Sequence, residues 1–181
     1  MQIIDTKIEG LKIINPKILK DTRGYFFESW NKESFREHGI DANFVQDNQS
    51  LSSKGVIRGL HFQNPPFEQG KLVRVIKGAV IDVAVDIRKE SPTYGQHVAI
   101  ELNEENKTMF WIPPGFAHGF STLQDNTILS YKCSGIYNQG SEDSLLWNDP
   151  ELNINWRINS PIISDKDKNA QQFSRFKSLF K

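Results

Sequence analysis

Apolar residues recur along this chain mostly at strand period, in short segments bounded by Gly, Pro, Asn and Asp. Leu72 to Ile76 and Val80 to Asp86 predict a hairpin turning at Lys77-Gly78. His97 to Leu102 and Thr108 to Ile112 predict a second pair across Asn103-Glu104-Glu105-Asn106, and Phe120 to Thr122 with Thr127 to Ser134 a third around Gln124-Asp125-Asn126. Helical spacing is confined to Lys32–His38, stopped by Gly39, and Lys168–Phe180, where Phe173, Phe176 and Phe180 share a face that reads as core packing. Many short strands at this spacing predict an all-β jelly roll with short peripheral helices. No internal repeat or low-complexity tract interrupts it.

Composition narrows the function without naming it. A chain of 181 residues with no linker-like stretch predicts one domain over 1–181. Its 22 basic and 22 acidic residues cancel, which argues against nucleic acid or an anionic membrane as partner while leaving room for a small anionic ligand. Cys133 is the single cysteine, so no internal disulfide forms. Met1-Gln2-Ile3-Ile4-Asp5 lacks the apolar run of a leader or membrane span, and the expected location is the cytoplasm.

Two segments carry candidate chemistry. Gly55-Val56-Ile57-Arg58-Gly59-Leu60-His61-Phe62-Gln63 and Pro113-Pro114-Gly115-Phe116-Ala117-His118 resemble the two halves of a cupin signature, in which histidines project into the mouth of a small jelly-roll β-barrel and usually hold a metal. Here Gln63 replaces one of those histidines. An amide is a poor transition-metal ligand, so His61 and His118, even with Glu68, make an incomplete set. No metal and no other cofactor is expected, and His61 is better used as a base.

Further blocks carry a closer resemblance: Asp21-Thr22-Arg23-Gly24-Tyr25-Phe26-Phe27-Glu28, Phe44 to Ser50, Val56 to Gln63, Lys71-Leu72-Val73-Arg74, Pro113 to Phe120, Tyr131-Lys132-Cys133 and Leu146-Trp147-Asn148-Asp149-Pro150. In this order, from about Leu11 to Asp167, the chain resembles the dTDP-4-dehydrorhamnose 3,5-epimerase family of nucleotide-sugar enzymes. The resemblance implies inversion at C3 and C5 of a dTDP-4-keto-6-deoxyhexose. Carbons flanking a ketone are weakly acidic, and inversion needs one group to remove a proton and another to return one on the opposite face.

By that resemblance His61 is the base; an imidazole, with an ordinary pKa near ~6.5, suits the task at neutral pH. Tyr131 is the acid, and Lys71 stabilises the charge developing on the keto oxygen. A carboxylate orienting the histidine is expected. Asp167 in Ile163-Ser164-Asp165-Lys166-Asp167 matches the family motif, with Asp165 as competitor because one indel would exchange them.

The other matched residues imply a substrate clamp. Arg23 and Arg58 suit diphosphate oxygens, Gln46 and Asn48 a thymine edge, and Tyr137 stacking on the base. Glu28, His118, Glu142 and Lys166 fall on family binding positions. The resemblance also implies a homodimer whose N-terminal strands exchange, so that Arg23 and Glu28 complete the partner's site. Taken singly, His61 reads as a structural histidine, Tyr131 as a packed strand residue and Arg58 as a surface ion pair of little value; the ordered set of motifs is what favours chemistry. Alternatives are a related epimerase inverting only one carbon, a metal-dependent cupin, and a sugar-binding cupin without catalysis, and fold alone does not choose among them.

Overall fold

A computed structural model describes residues 1–181. The strands are β1 (Gln2–Asp5), β2 (Lys12–Asn15), β3 (Leu19–Asp21), β4 (Gly24–Phe26), β5 (Gln46–Ser52), β6 (Ile57–Gln63), β7 (Lys71–Lys77), β8 (Ala79–Asp86), β9 (His97–Asn103), β10 (Met109–Ile112), β11 (Phe116–Thr122), β12 (Thr127–Cys133) and β13 (Glu142–Ser144). Helix α1 (Lys32–Arg36) and the single turn α2 (Asp165–Lys168) are peripheral. A six-stranded sheet, in order β1-β2-β10-β7-β12-β5, lies against a five-stranded sheet, β13-β6-β11-β8-β9, and β3-β4 form a separate ribbon. This is the expected jelly roll.

Strand β8 shows how the sequence builds the layers. All of its residues are buried, and alternation sends successive side chains to opposite faces. Val80 and Ala84 enter the core between the sheets with Val73, Phe110 and Leu129. Ile81, Val83 and Val85 point outward into a second core, closed by Leu152, Trp156, Phe176 and Phe180. A third cluster, with Phe35 of α1, Ile40, Leu72 and Trp111, covers part of the outer face of the six-stranded sheet. At Gly59 a side chain is sterically barred: a Cβ there would lie 2.5 Å from the Cα of Gly119 on β11, and φ is +133°.

The three expected hairpins are not hairpins. β7 pairs with β10 and β12, and β8 with β9 and β11, so Lys77-Gly78 is a corner at which the chain changes sheets. The second and third pairs separate in the same way: β9 and β11 belong to the five-stranded sheet, β10 and β12 to the six-stranded one. A tight polar turn with glycine serves a corner as well as a hairpin, and distant packing decides between them.

The C-terminal segment is likewise not the expected helix. Past α2 it holds only a 3-10 turn at Phe173–Arg175, because its backbone groups bond to the body of the protein: Leu146 N donates to Gln171 O at 2.8 Å, Lys89 N to Phe180 O at 3.2 Å, and Phe173 N to the Asp149 carboxylate at 2.8 Å. Phe176 and Phe180 are nevertheless buried in the second core and Phe173 packs against it, so the aromatic stripe is core packing, at about 1.5–3 kcal/mol per buried ring.

Candidate active site

The open end of the two sheets encloses a cleft of about 620 Å³. One wall comes from β6, β11 and β13, and the other from β5, β7 and β12. His61 on β6 lies directly across from His118 on β11.

Each histidine meets its own carboxylate. His61 Nε2 is 2.6 Å from Asp167 Oδ1, and Asp167 Oδ2 also accepts from Gly59 N at 3.4 Å. Ser164 caps α2, its hydroxyl accepting from Asp167 N at 3.1 Å, which fixes the turn so that Asp167 faces inward. Asp165 points to solvent and pairs with Lys168. Burial works against the Asp167 charge, yet His61, the Gly59 amide and Ser164 together outweigh it and hold the carboxyl below its ordinary range. A carboxylate only accepts, so Nε2 carries the hydrogen, and in the neutral ring the lone pair is on Nδ1.

His118 Nε2 stands 3.0 Å from both oxygens of Asp82, a fully buried side chain on β8. Burial pushes the His118 pKa down; Asp82 opposes this, and the charges of Lys71 and His61 add to it. Lys71 at the start of β7 is buried, donates to His61 O at 3.3 Å, and is pushed below the ordinary lysine value by desolvation, against the opposing pull of Cys133, Asp82 and Glu142.

Tyr131 on β12 is half-buried, its ring 6.3 Å from that of His118, centroid to centroid. Burial raises its pKa, Cys133 and Glu142 add to that, and Asn48 and Arg58 partly offset it, so the phenol keeps its proton at neutral pH. Arg58 is turned by a bond from its Nε to Ser52 Oγ at 3.2 Å, which leaves its terminal nitrogens free. Gln46 donates to Asn48 Oδ1 at 3.0 Å and accepts from Tyr137 N at 2.9 Å. Glu142 Oε2 takes Tyr137 OH at 3.1 Å and Lys166 Nζ at 2.7 Å. Burial disfavours the Glu142 charge, but Lys166 and Tyr137 prevail and its pKa is lowered.

Thus His61, Lys71, Tyr131, Asp167, Gln46, Asn48, Arg58, His118, Tyr137, Glu142 and Lys166 all line one cleft. Arg23 and Glu28 do not. Arg23 lies at the turn of the β3-β4 ribbon, its side chain 88% exposed and paired with Asp21 at 2.6 Å, and Glu28 accepts from Asn31. Sequence reasoning missed Asp82, although a carboxylate at the inward parity of β8, between Val80 and Ala84, was a readable signal. It also missed Ser52, for which there was none. No group of three or more His, Cys, Asp or Glu side chains is placed to hold a metal, and the Gln63 amide is committed to backbone groups.

Residues 5–175 match the family model described as dTDP-4-dehydrorhamnose 3,5-epimerase. The chain is 50% identical over 174 residues to the dTDP-4-dehydrorhamnose 3,5-epimerase of Shigella flexneri, covering 96% of each. In structure it is similar to the dTDP-6-deoxy-D-glucose-3,5-epimerase of Legionella pneumophila in complex with dTDP-4-keto-L-rhamnose, with a TM-score of 0.94, 49% identity, and 97% and 94% of the two chains covered. It also resembles a 3'-monoepimerase from Streptomyces bikiniensis in complex with dTDP-quinovose, at a TM-score of 0.89 and 35% identity, over 93% and 86% of the two chains.

Proposed function

The chain belongs to the dTDP-4-dehydrorhamnose 3,5-epimerase family, and from that premise we propose how its cleft carries out the reaction. It is an isomerase of nucleotide-sugar biosynthesis that epimerises dTDP-4-dehydro-6-deoxy-D-glucose to dTDP-4-dehydro-L-rhamnose, on the way to dTDP-L-rhamnose.

The mechanism rests on one observation: His61, paired with Asp167 of α2, and the protonated phenol of Tyr131 come from opposing sheets of the same cleft. His61 Nδ1 removes the proton from the carbon beside the ketone, and the C–H electrons form a C=C bond as the carbonyl becomes an enolate. Asp167 stabilises the imidazolium; Lys71 stabilises the enolate oxygen in a desolvated pocket, where a fixed cation acts strongly on charge that appears only in the transition state. Tyr131 then delivers its proton to the opposite face of the carbon, and solvent restores the phenol and the imidazole. One such cycle inverts C3 and another C5.

Arg58 holds the diphosphate, Gln46 and Asn48 the thymine edge, and Tyr137 the ring of the base; His118, Glu142 and Lys166 contact the substrate around them. Arg23 and Glu28 serve a partner's cleft in a homodimer, a reading supported by the exposure of Leu19, Tyr25 and Phe26 on the same ribbon. We place the reaction outside metal and cofactor chemistry, since Gln63 spends its amide on the backbone. No helix is long and apolar enough to cross a membrane; with a lone buried cysteine, a cytoplasmic location fits. The deciding experiment is NMR in D2O with dTDP-4-keto-6-deoxyglucose. Deuterium should enter at both C3 and C5; incorporation at one carbon only would make this a monoepimerase, and none would end the base-catalysed reading.

A further inference from the structure

We propose that Gln63, at the position where a metal-binding cupin carries a ligand, is a positioning residue that presents Tyr137 to the nucleotide. The inference rests on the reading of Tyr137 as the platform for the base. Gln63 is almost fully buried at the end of β6. Its Nε2 donates to Ile136 O at 3.2 Å and to Phe67 O, while its Oε1 accepts from Asn138 N at 2.8 Å. The residues on either side of Tyr137 are therefore tied to opposite ends of one side chain. Two more amides extend the row: Gln69 Nε2 donates to Gly135 O at 2.7 Å, and Gln46 Oε1 accepts from Tyr137 N at 2.9 Å. Four consecutive residues, Gly135 to Asn138, are pinned through their backbones by three glutamines from separate parts of the fold.

Only a carboxamide meets the demand at 63. It offers two N–H donors and an acceptor from a single planar group, whereas a carboxylate cannot donate and an imidazole cannot donate twice while accepting. Tyr137 itself has half its surface in solvent; its hydroxyl donates to Glu142 at 3.1 Å, and its backbone N–H is held by the Gln46 amide. A ring ordered before the ligand arrives spares the ligand the cost of ordering it.

The test is Gln63→Met, which preserves volume and deletes all three bonds. Ordering one side chain and its loop is worth about tenfold in affinity, so dTDP measured by calorimetry should bind about tenfold more weakly. The KM for the dTDP-keto sugar should rise in step while kcat at saturation holds, and amide exchange in residues 135–138 should accelerate. In a Tyr137→Ala background the same substitution should add less than about twofold, because coupled residues are not additive. Unchanged dTDP affinity, or an undiminished loss when Tyr137 is already absent, overturns the proposal. If Gln63→Met does not fold, Gln69→Leu, which cuts the adjacent anchor at Gly135, is judged by the same two criteria. Wild-type protein that does not bind dTDP overturns the functional reading and this inference with it; wild-type binding with an unaffected variant overturns this inference alone.

Discussion

Asp167→Asn isolates the contribution of one charge. Asparagine is close to isosteric, and its Oδ1 can still accept from His61 Nε2, so the 2.6 Å contact and the Ser164 cap survive, while the negative charge and the long 3.4 Å contact to Gly59 N do not. A hydrogen bond to a charged group contributes about 1.5–3 kcal/mol, and this one is strengthened as His61 becomes an imidazolium in the transition state. At about 1.4 kcal/mol per decade, kcat should fall about ten- to 150-fold, with KM and dTDP affinity nearly unchanged. Single-turnover NMR in D2O should show exchange and epimerisation slowed together, since both wait on proton abstraction. The acid limb of stability provides a second measurement. Because the folded-state pKa of Asp167 is depressed, its ionised form stabilises the native state above the unfolded carboxylate value of about 4. That contribution is lost as pH falls through the lower folded value, so wild type and Asn variant should differ most at neutral pH and converge in acid. A variant with wild-type kcat, or an equal loss in Asp165→Asn, would refute the assignment.

Other perturbations separate the remaining roles. His61→Ala should lower kcat by at least 10²–10⁴-fold and abolish deuterium entry at C3 and C5, with nucleotide affinity intact; retained exchange would remove His61 as base. Tyr131→Phe should leave exchange running ahead of inversion, because the imidazolium can return a proton on the original face, and wild-type epimerisation in that variant would remove Tyr131 from the mechanism. EDTA should not change turnover, and activity that dies on chelation and returns with a single ion would sink the metal-free reading. If Arg23 serves the partner's cleft, mixing inactive His61→Ala and Arg23→Ala subunits should restore activity through the one intact site of each mixed dimer; no recovery after subunit exchange would place Arg23 elsewhere.

What the sequence revealed depended on how local the deciding physics was. The strand over Val80 to Asp86 was legible because its own apolar residues mark it, and His61 and His118 were legible because two short motifs carry them. The Asp165 or Asp167 ambiguity was not. Residues two apart on a helical turn lie about 200° apart around its axis, so only one faces the site, and which one does depends on where Ser164 starts the turn. The tail misled because Phe173, Phe176 and Phe180 have helical spacing, whereas the partners of their backbone groups, at Asp149 and Lys89, lie far away in sequence. Gln63 was seen as a lost ligand; what it gains depends on a loop, at Ile136 and Asn138, that no motif marks.

The misread corner at Lys77-Gly78 bears most directly on function. Had β7 and β8 paired as a hairpin, Lys71 and Asp82 would share one sheet, and the groups around the substrate would crowd one face of it. By crossing there, the chain puts Lys71 and Tyr131 on the six-stranded sheet and His61, Asp82 and His118 on the five-stranded one. Packed sheets stand about 10 Å apart, enough for a sugar ring with a side chain above and another below. Inversion through an enolate needs that arrangement, since a base and an acid on the same side would only return the proton to the face it left. The same separation explains why Tyr131→Phe should leave exchange running: the base stands on the sheet opposite the phenol, so that substitution leaves His61, Asp167 and Lys71 in place.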